Sequence, residues 1–142
     1  MRCGASYKLV EGAIPPKRSC NGDAGLDIAI QEDVKIRPGE TVYAPAGVIF
    51  DIPEGFAVHV VTRSSTFKHD VVVVPTVVDS GYKGEISTII TNFNVFPVEI
   101  KRGTRLAQAV LMPYYQFDNE FDNDVERSPV ERGENKFGSS GI

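Results

Sequence analysis

The sequence predicts an all-β fold, a sandwich, barrel or jelly roll, with one short helix and an extended C-terminal arm. Short runs rich in β-branched and aromatic residues recur along the chain, and turns containing proline or glycine separate them. The chain has 142 residues, of which 42% are hydrophobic, so its length and composition fit one domain with one core.

Nine segments have the character of strands. They lie at 24–30, 34–36, 41–44, 48–52, 56–61, 71–74, 85–92, 98–100 and 106–112. The segments 37–40, 52–55 and 101–104 contain proline or glycine where the chain must reverse direction. A helix of one or two turns is expected at 64–69, with Ser64 as its N-cap.

The apolar periodicity stops at Pro113, and an acidic segment follows it. We therefore expect a β core over residues 1–113 and an arm over residues 114–142. Within the arm, Arg132 offers forked donors for phosphate, Ser139 and Ser140 add hydroxyl donors, and Phe137 can lie against a base or sugar. This composition predicts a lid over a nucleotide, although a disordered Gly/Ser-rich end fits it as well.

Charge and hydropathy exclude several classes of protein. A net charge of −4 argues against direct nucleic-acid binding, which usually requires a basic face. No apolar run approaches the roughly 18 residues that cross a bilayer, so we expect a cytoplasmic protein that does not bind membranes. Cys3 and Cys20 are too few for a disulfide framework and lack metal spacing, which predicts reduced thiols.

Two polar groups lie at the ends of predicted strands in the first half of the chain. Asp27 lies just inside a strand after small residues, where it can either serve a ligand or cap a turn. Arg63, Ser64 and Ser65 lie where a strand ends and the short helix begins, a position that presents backbone amides to an anion. A capped helix with a surface arginine is the alternative interpretation of that segment.

Two further groups lie in the second half. Asp79 and Tyr82 are expected on one tight hairpin, whose turn Gly81 and Gly84 would supply. An ordinary hairpin with an aspartate in its turn explains the same residues.

The last strand predicted carries the fourth group. Strict alternation along this strand would put Arg105 on one face with Ala107, and Gln108 on the other with Leu106. Because a bulge breaks such alternation, periodicity alone does not place Arg105 and Gln108 at one site.

Taken in order, these segments resemble the motifs of the trimeric deoxyuridine triphosphate nucleotidohydrolases, the dUTPases. The five matching segments are Ala24-Gly-Leu-Asp-Ile, Arg63-Ser-Ser, Val77-Val-Asp-Ser-Gly-Tyr-Lys-Gly, Gly103-Thr-Arg-Leu-Ala-Gln and Arg132-Gly through Phe137-Gly-Ser-Ser-Gly. They span nearly the whole chain in the family's order and spacing. The resemblance implies a jelly-roll subunit, a homotrimer with sites between subunits, and an arm that covers a neighbour's site.

The resemblance also implies an activity, the Mg²⁺-assisted hydrolysis of dUTP to dUMP and pyrophosphate, and a role for each residue. Asp79 would be the general base, Tyr82 would pack under the deoxyribose, and Asp27 would reach Mg²⁺ through water. Backbone groups around Val77 and Val78 would read uracil. The phosphate contacts would come from Arg63, Ser64, Ser65 and Gln108, with Arg105 serving either the phosphates or the subunit interface, and the arm would supply Arg132, Phe137, Gly138, Ser139 and Ser140.

The chain departs from the family pattern at several positions. Val73 and Thr76 stand where many members have asparagine and glycine, which shifts uracil recognition toward backbone groups. Thr104 replaces a usual aspartate, and Asn135-Lys136 replaces two small residues. Ile89 stands where the related dCTP deaminases need a glutamate, so deamination is the weaker alternative, and a dUTPase-like protein with a regulatory or structural role and no turnover is another.

Overall fold

The computed structural model describes residues 2–118. They form eleven strands and a 3-10 helix at Thr66–His69. The strands are β1 Ser6–Leu9, β2 Gly25–Ala29, β3 Val34–Ile36, β4 Thr41–Pro45, β5 Val48–Asp51, β6 Phe56–Thr62, β7 Val72–Val74, β8 Thr76–Val78, β9 Ser87–Thr91, β10 Val98–Ile100 and β11 Arg105–Pro113. The all-β prediction with one short helix is confirmed.

The strands form two larger sheets and two pairs, and every pairing is antiparallel. One sheet has the strand order β2-β11-β6-β8, and the other has the order β4-β9-β7. The pairs are β1 with β5 and β3 with β10. One apolar core contains buried residues from both sheets, among them Val60 of β6, Ile90 of β9 and Leu106 of β11. The architecture is therefore a β-sandwich closed around that core.

Two strands were not expected from the sequence. β1 exposes all four of its residues and pairs only with β5. Polar and apolar residues do alternate from Ser6 to Leu9, but the prediction missed this short signal. β8 has three residues and directly follows Pro75, a combination that resembles a turn. The seven-residue strand β6 and the nine-residue β11 were expected because each has a long β-branched or apolar run.

The helix begins later than expected, and the prediction of Ser64 as its N-cap was wrong. Ser65 is the N-cap, and its side chain makes no capping hydrogen bond. The buried Thr66 hydroxyl accepts the Arg63 amide at 3.1 Å and donates to the Leu106 carbonyl at 2.6 Å. Because these bonds hold residues 63–66 in a turn against β11, the helix starts at Thr66, the last residue of that turn.

Turns with glycine in the left-handed region join several strands as expected. At 37–40 the Glu40 amide donates to the Arg37 carbonyl at 3.0 Å, and Gly39 has φ 76°. At 101–104 the Thr104 amide donates to the Lys101 carbonyl at 3.1 Å, and Gly103 has φ 92°. Side chains rarely adopt such φ values, so glycine is needed at the third position of each turn.

Asn92 ties the end of β9 to the β3–β10 pair. Its side chain is fully buried, and its Nδ2 donates to the carbonyls of Ile36 and Phe96, each at 2.9 Å. Its Oδ1 accepts the Asn94 amide at 2.9 Å. The Asn92 side-chain amide therefore binds three backbone groups from three separate segments. Among residues 2–118 the only helix has four residues, and no helix there is long and apolar enough to cross a membrane.

Replacing Asn92 by alanine should lower the free energy of unfolding by about 3 kcal/mol, because buried backbone groups would lose their partners. The urea midpoint of unfolding measures this change. Asn21→Ala is the matched control, since Asn21 is an exposed loop residue. Equal midpoints for the two variants would show that the Asn92 amide is not needed for stability.

Candidate functional site

β11 brings two of the predicted site residues, Asp27 and Gln108, into one row. Gln108 of β11 lies opposite Asp27 of β2 on one side and opposite Val61 of β6 on the other. Directly opposed residues in antiparallel strands share a face, so Asp27 and Gln108 point to the same side of the sheet. Gly25 makes this possible, because a Cβ at that position would lie 2.1 Å from the Gln108 Oε1 atom.

Asp27 forms an ion pair with Arg63, which follows β6. The Arg63 Nε lies 3.0 Å from the Asp27 Oδ1, and its Nη1 donates to the Arg105 carbonyl at 2.7 Å. Asp27 is buried, with 8% of its surface exposed, and the Arg63 side chain is 29% exposed. Asp27 lies within β2 and pairs with Arg63, so it is not a turn cap, and Arg63 is not a surface arginine. We call Asp27, Arg63, Arg105 and Gln108 the Arg63 cluster.

The Arg105 side chain extends to the segment that contains Pro15. Its Nη2 donates to the Pro15 carbonyl at 2.9 Å, and its buried Nε has no hydrogen-bond partner within the described residues. The pairing of β11 with β2 shifts register between Arg105 and Ala107, and Leu106 and Ala107 are both buried. A bulge therefore breaks strict alternation at the start of this strand, which is the possibility that left the placement of Arg105 and Gln108 open from the sequence.

Ser64 and Ser65 join the Arg63 cluster to the 3-10 helix. Ser64 is exposed and Ser65 is half-buried. Gln108 contacts the chain just before these serines, because its Nε2 donates to the Thr62 carbonyl at 3.1 Å. One N–H of the Gln108 amide is thereby used, and a second is available to a ligand.

Asp79 and Tyr82 belong to a second group, which we call the Asp79 pocket. A cavity of about 280 Å³ opens here, and its lining residues are Thr76, Val77, Val78, Asp79, Tyr82, Glu85, Ile86, Ser87 and Ile89. The Tyr82 amide donates to the Asp79 carbonyl at 3.1 Å, and the Tyr82 hydroxyl donates to the Glu85 carbonyl at 3.1 Å. A Cβ at Gly84 would come within 2.6 Å of that hydroxyl, so glycine leaves room for the ring.

The expected tight hairpin at this segment was wrong. β8 pairs with β6, whereas the next strand, β9, pairs with β4 and β7 of the other sheet. Residues 79–86 therefore cross between the sheets, and the cavity is the space where β8 and β9 diverge. Gly81 and Gly84 are also not among the glycines with positive φ.

The Arg63 cluster and the Asp79 pocket are separate within one chain. Along β6, Val58 lies opposite Val78, and Thr62 lies opposite Ala107. Four residues of strand separate these positions, which is about 13 Å. Arg63 and Asp79 continue beyond opposite ends of this interval, so a single copy does not bring them together.

The structure also places the residues at which the chain departs from the family pattern. Val73 is 3% exposed and packs in the core, so its side chain is unavailable to a ligand. Thr76 and Ile89 both line the Asp79 pocket. Thr104 donates its hydroxyl to the Lys101 carbonyl at 2.7 Å and closes a turn.

Two sets of residues remain: the predicted residues of the arm, and two hydroxyl residues that were not predicted. The arm residues Arg132, Phe137, Gly138, Ser139 and Ser140 lie outside the described residues. Thr66 and Ser19, which hold Arg63 and Asp27 respectively, were not predicted. The three-residue interval from Arg63 to Thr66 is a local signal typical of a hydroxyl turn, whereas no spacing rule links Ser19 to Asp27.

The family model for dUTPase, a class of nucleotide hydrolases, matches residues 11–141 of this β-sandwich. The deoxyuridine 5'-triphosphate nucleotidohydrolase of Nautilia profundicola is 39% identical over 137 residues, which are 94% of this chain and 95% of that protein. The chain belongs to the dUTPase family.

Solved structures agree with this assignment. A variant of the Staphylococcus bacteriophage 80alpha dUTPase with bound dUpNHpp has a TM-score of 0.83 and 28% identity, and the match covers 97% of this chain and 98% of that chain. A variant of the dUTPase from Staphylococcus aureus phage phi11, in which a structural Mg(II) ion is coordinated, has a TM-score of 0.78 at 24% identity, covering 87% and 99%. The second likeness concerns the fold alone.

Proposed function

We propose that this protein is a dUTP diphosphatase, which hydrolyses dUTP to dUMP and pyrophosphate. The observation that carries the proposal is the family match over residues 11–141, within which Asp79 and Tyr82 line one cavity and Arg63 and Gln108 lie in another cluster. The relatives named above bear this activity in their names.

The Asp79 pocket is the proposed deoxyuridine site. β8 is the last strand of its sheet, so one edge of its backbone faces away from β6 and can read the polar edge of uracil through Val77 and Val78. The Tyr82 ring, packed under the sugar, would leave no space for a 2′-hydroxyl. Ile89 offers no carboxylate for deamination, which disfavours the dCTP deaminase alternative.

The Arg63 cluster is the proposed site for the α- and β-phosphates. The two hydrogen-bonded nitrogens of Arg63 fix its guanidinium, whose remaining N–H groups can bind phosphate oxygens. The Ser64 and Ser65 hydroxyls and the second N–H of the Gln108 amide would add donors. The contribution of Arg105 is indirect, because its carbonyl holds Arg63.

Hydrolysis requires a water molecule to attack the α-phosphorus in line with the departing pyrophosphate. Asp79 is the proposed general base, since an exposed carboxylate at the mouth of the cavity can hold that water and accept its proton. Donors of the Arg63 cluster would stabilise the charge that develops on the leaving group.

Magnesium is the proposed cofactor, and the residues present fit it. No group of three or more His, Cys, Asp or Glu side chains in residues 2–118 could form a protein cage for a metal. Mg²⁺ normally keeps several waters and binds substrate phosphates with one or two carboxylates. Each Asp27 oxygen accepts one hydrogen bond and retains a second lone pair, so Asp27 can hold a metal-bound water. When bound, the metal would neutralise charge on the phosphates.

We further propose a homotrimer in which the Arg63 cluster of one copy meets the Asp79 pocket of the next. The separation of the two groups within one chain supports this arrangement, as do the exposed apolar residues Val77 and Met112 on the four-stranded sheet. A neighbouring arm would bring Arg132, Ser139 and Ser140 to the γ-phosphate, and Phe137 to the uracil. The division into a core at 1–113 and an arm at 114–142, and the cytoplasmic location, stay predictions.

The first prediction concerns substrate choice. With Mg²⁺ present, dUTP should be hydrolysed far faster than dCTP, dTTP or UTP, and chelation of the metal should slow the reaction. Pyrophosphate release measured side by side for the four nucleotides tests this. Release of ammonia from dCTP, or equal rates with dTTP, would contradict it, and no turnover despite dUpNHpp binding would favour a non-catalytic regulatory or structural protein.

The second prediction concerns the general base. Asp79→Asn should fold and bind dUpNHpp while losing turnover by about 10² or more, because the amide keeps the shape and cannot accept a proton. Turnover and analogue affinity are measured on the same preparation. Near-normal turnover would exclude Asp79 as the base.

The third prediction concerns the shared site. Asp79→Asn keeps the Arg63 cluster intact, and Arg63→Gln keeps the Asp79 pocket intact while still offering Asp27 a donor. After subunit exchange between these two inactive variants, about one quarter of the sites in random trimers should combine both intact halves, with activity to match. Each variant mixed with itself is the control. Exchange demonstrated by mass spectrometry without recovered activity would overturn the shared site.

A further inference from the structure

Ser19 makes a contact with the site that the proposed chemistry does not use. Its hydroxyl donates to the Asp27 Oδ2 at 2.9 Å, while the Asp27 Oδ1 lies 3.0 Å from the Arg63 Nε. The two carboxylate oxygens of Asp27 therefore have different partners. Arg63 is held through one nitrogen by Asp27 and through another by the Arg105 carbonyl.

The segment around Ser19 is braced from both sides. Lys17 and Asp27 exchange backbone hydrogen bonds of 2.9 and 2.8 Å, which fixes the chain just before Ser19 against β2. The Cys20 amide donates to the Asp23 Oδ2 at 2.8 Å, and the Asp23 amide donates to the Cys20 carbonyl at 3.1 Å. These contacts hold the Ser19 hydroxyl at a set position above the Asp27 carboxylate.

The division of partners matters because arginine and carboxylate tend to form a two-point contact. In that arrangement two parallel N–H···O bonds occupy two nitrogens of the guanidinium. With Oδ2 engaged by Ser19, Asp27 meets Arg63 through Oδ1 and Nε. The outer N–H groups of Arg63 are thereby kept for another acceptor.

We propose that Ser19 is a positioning residue for the phosphate site: it holds Asp27 in a one-point contact, so that Arg63 keeps donors for the substrate phosphates. This inference rests on the proposed function. Ser19 acts through Asp27 and Arg63 and does not touch substrate. Without its hydroxyl, Asp27 turns toward Arg63, forms the two-point contact and competes with phosphate.

The test compares a ligand with phosphates and a ligand without them. Ser19→Ala should bind dUpNHpp more weakly, on the order of tenfold, the scale of a hydrogen bond to a charged group. Its affinity for deoxyuridine should not change, because that nucleoside has no phosphate and fits the Asp79 pocket. Calorimetric titration of both ligands in the presence of Mg²⁺ gives the two affinities.

Three variants complete the design. Ser19→Thr keeps the hydroxyl and should restore dUpNHpp affinity, and Ser6→Ala removes an exposed serine of β1 as a matched control. In an Asp27→Asn background, Ser19→Ala should have no further effect, because the two residues act as one unit. Ser19→Cys, with a much weaker donor, takes the place of Ser19→Ala if the alanine variant does not fold.

Unchanged dUpNHpp affinity in Ser19→Ala would overturn the inference. Equal weakening of dUpNHpp and deoxyuridine would also overturn it, since that pattern reports a general loss of structure. A full additional effect in the Asp27→Asn background would show that Ser19 acts independently of Asp27. If the wild-type protein binds neither ligand, the proposed function and this inference fail together. If the wild-type protein binds dUpNHpp and Ser19→Ala binds it equally well, only this inference fails.

Discussion

The pairing of β11 with both β2 and β6 is the constraint on which the rest of the structure depends. It sets Gln108 between Asp27 and Val61, and it places the Leu106 carbonyl where Thr66 can reach it. A slip of one residue would turn every side chain of the strand to the other face. The bulge after Arg105 limits the shift in strand register to the first residues of β11. Beyond it the pairing is regular, so one register aligns both the buried core residues and the site residues.

Under the proposed function, this register lets an acidic chain hold phosphates. The net charge is −4, so attraction over long distances does not favour a nucleotide triphosphate. Local geometry must supply the affinity instead. The half-buried pair of Asp27 and Arg63 gains little stability in itself, because desolvation offsets most of the attraction between the charges. Its value lies in orientation, since the pair and the Arg105 carbonyl fix a guanidinium that would otherwise be mobile at a strand end.

Sequence reasoning found the elements whose signal is local. Long apolar runs identified β6 and β11, and Pro-Gly or Arg-Gly pairs identified turns whose glycines have positive φ. It missed the exposed β1 and the three-residue β8, and it expected a tight hairpin around Asp79 and Tyr82 where the chain crosses from one sheet to the other. Which strands pair is decided by burial over long sequence distances, and a single sequence does not record that decision.

The same limit applied to the site. Asp27, Arg63, Asp79, Tyr82 and Gln108 were predicted from short motifs, whereas the contacts that hold Asp27 and Arg63 in place join distant segments.

The divergence of β8 and β9 connects the fold to the proposed recognition of the uracil base. A continuous hairpin would satisfy the facing backbone groups of both strands, and no base could reach them. Because β8 ends its sheet and β9 belongs to the other, one backbone edge of β8 faces a cavity. An exposed strand edge normally favours unwanted pairing with other chains. β8 limits that liability by its length of three residues, which is too short for a stable added strand. In the proposed deoxyuridine site, the same three residues are enough for the polar edge of one pyrimidine.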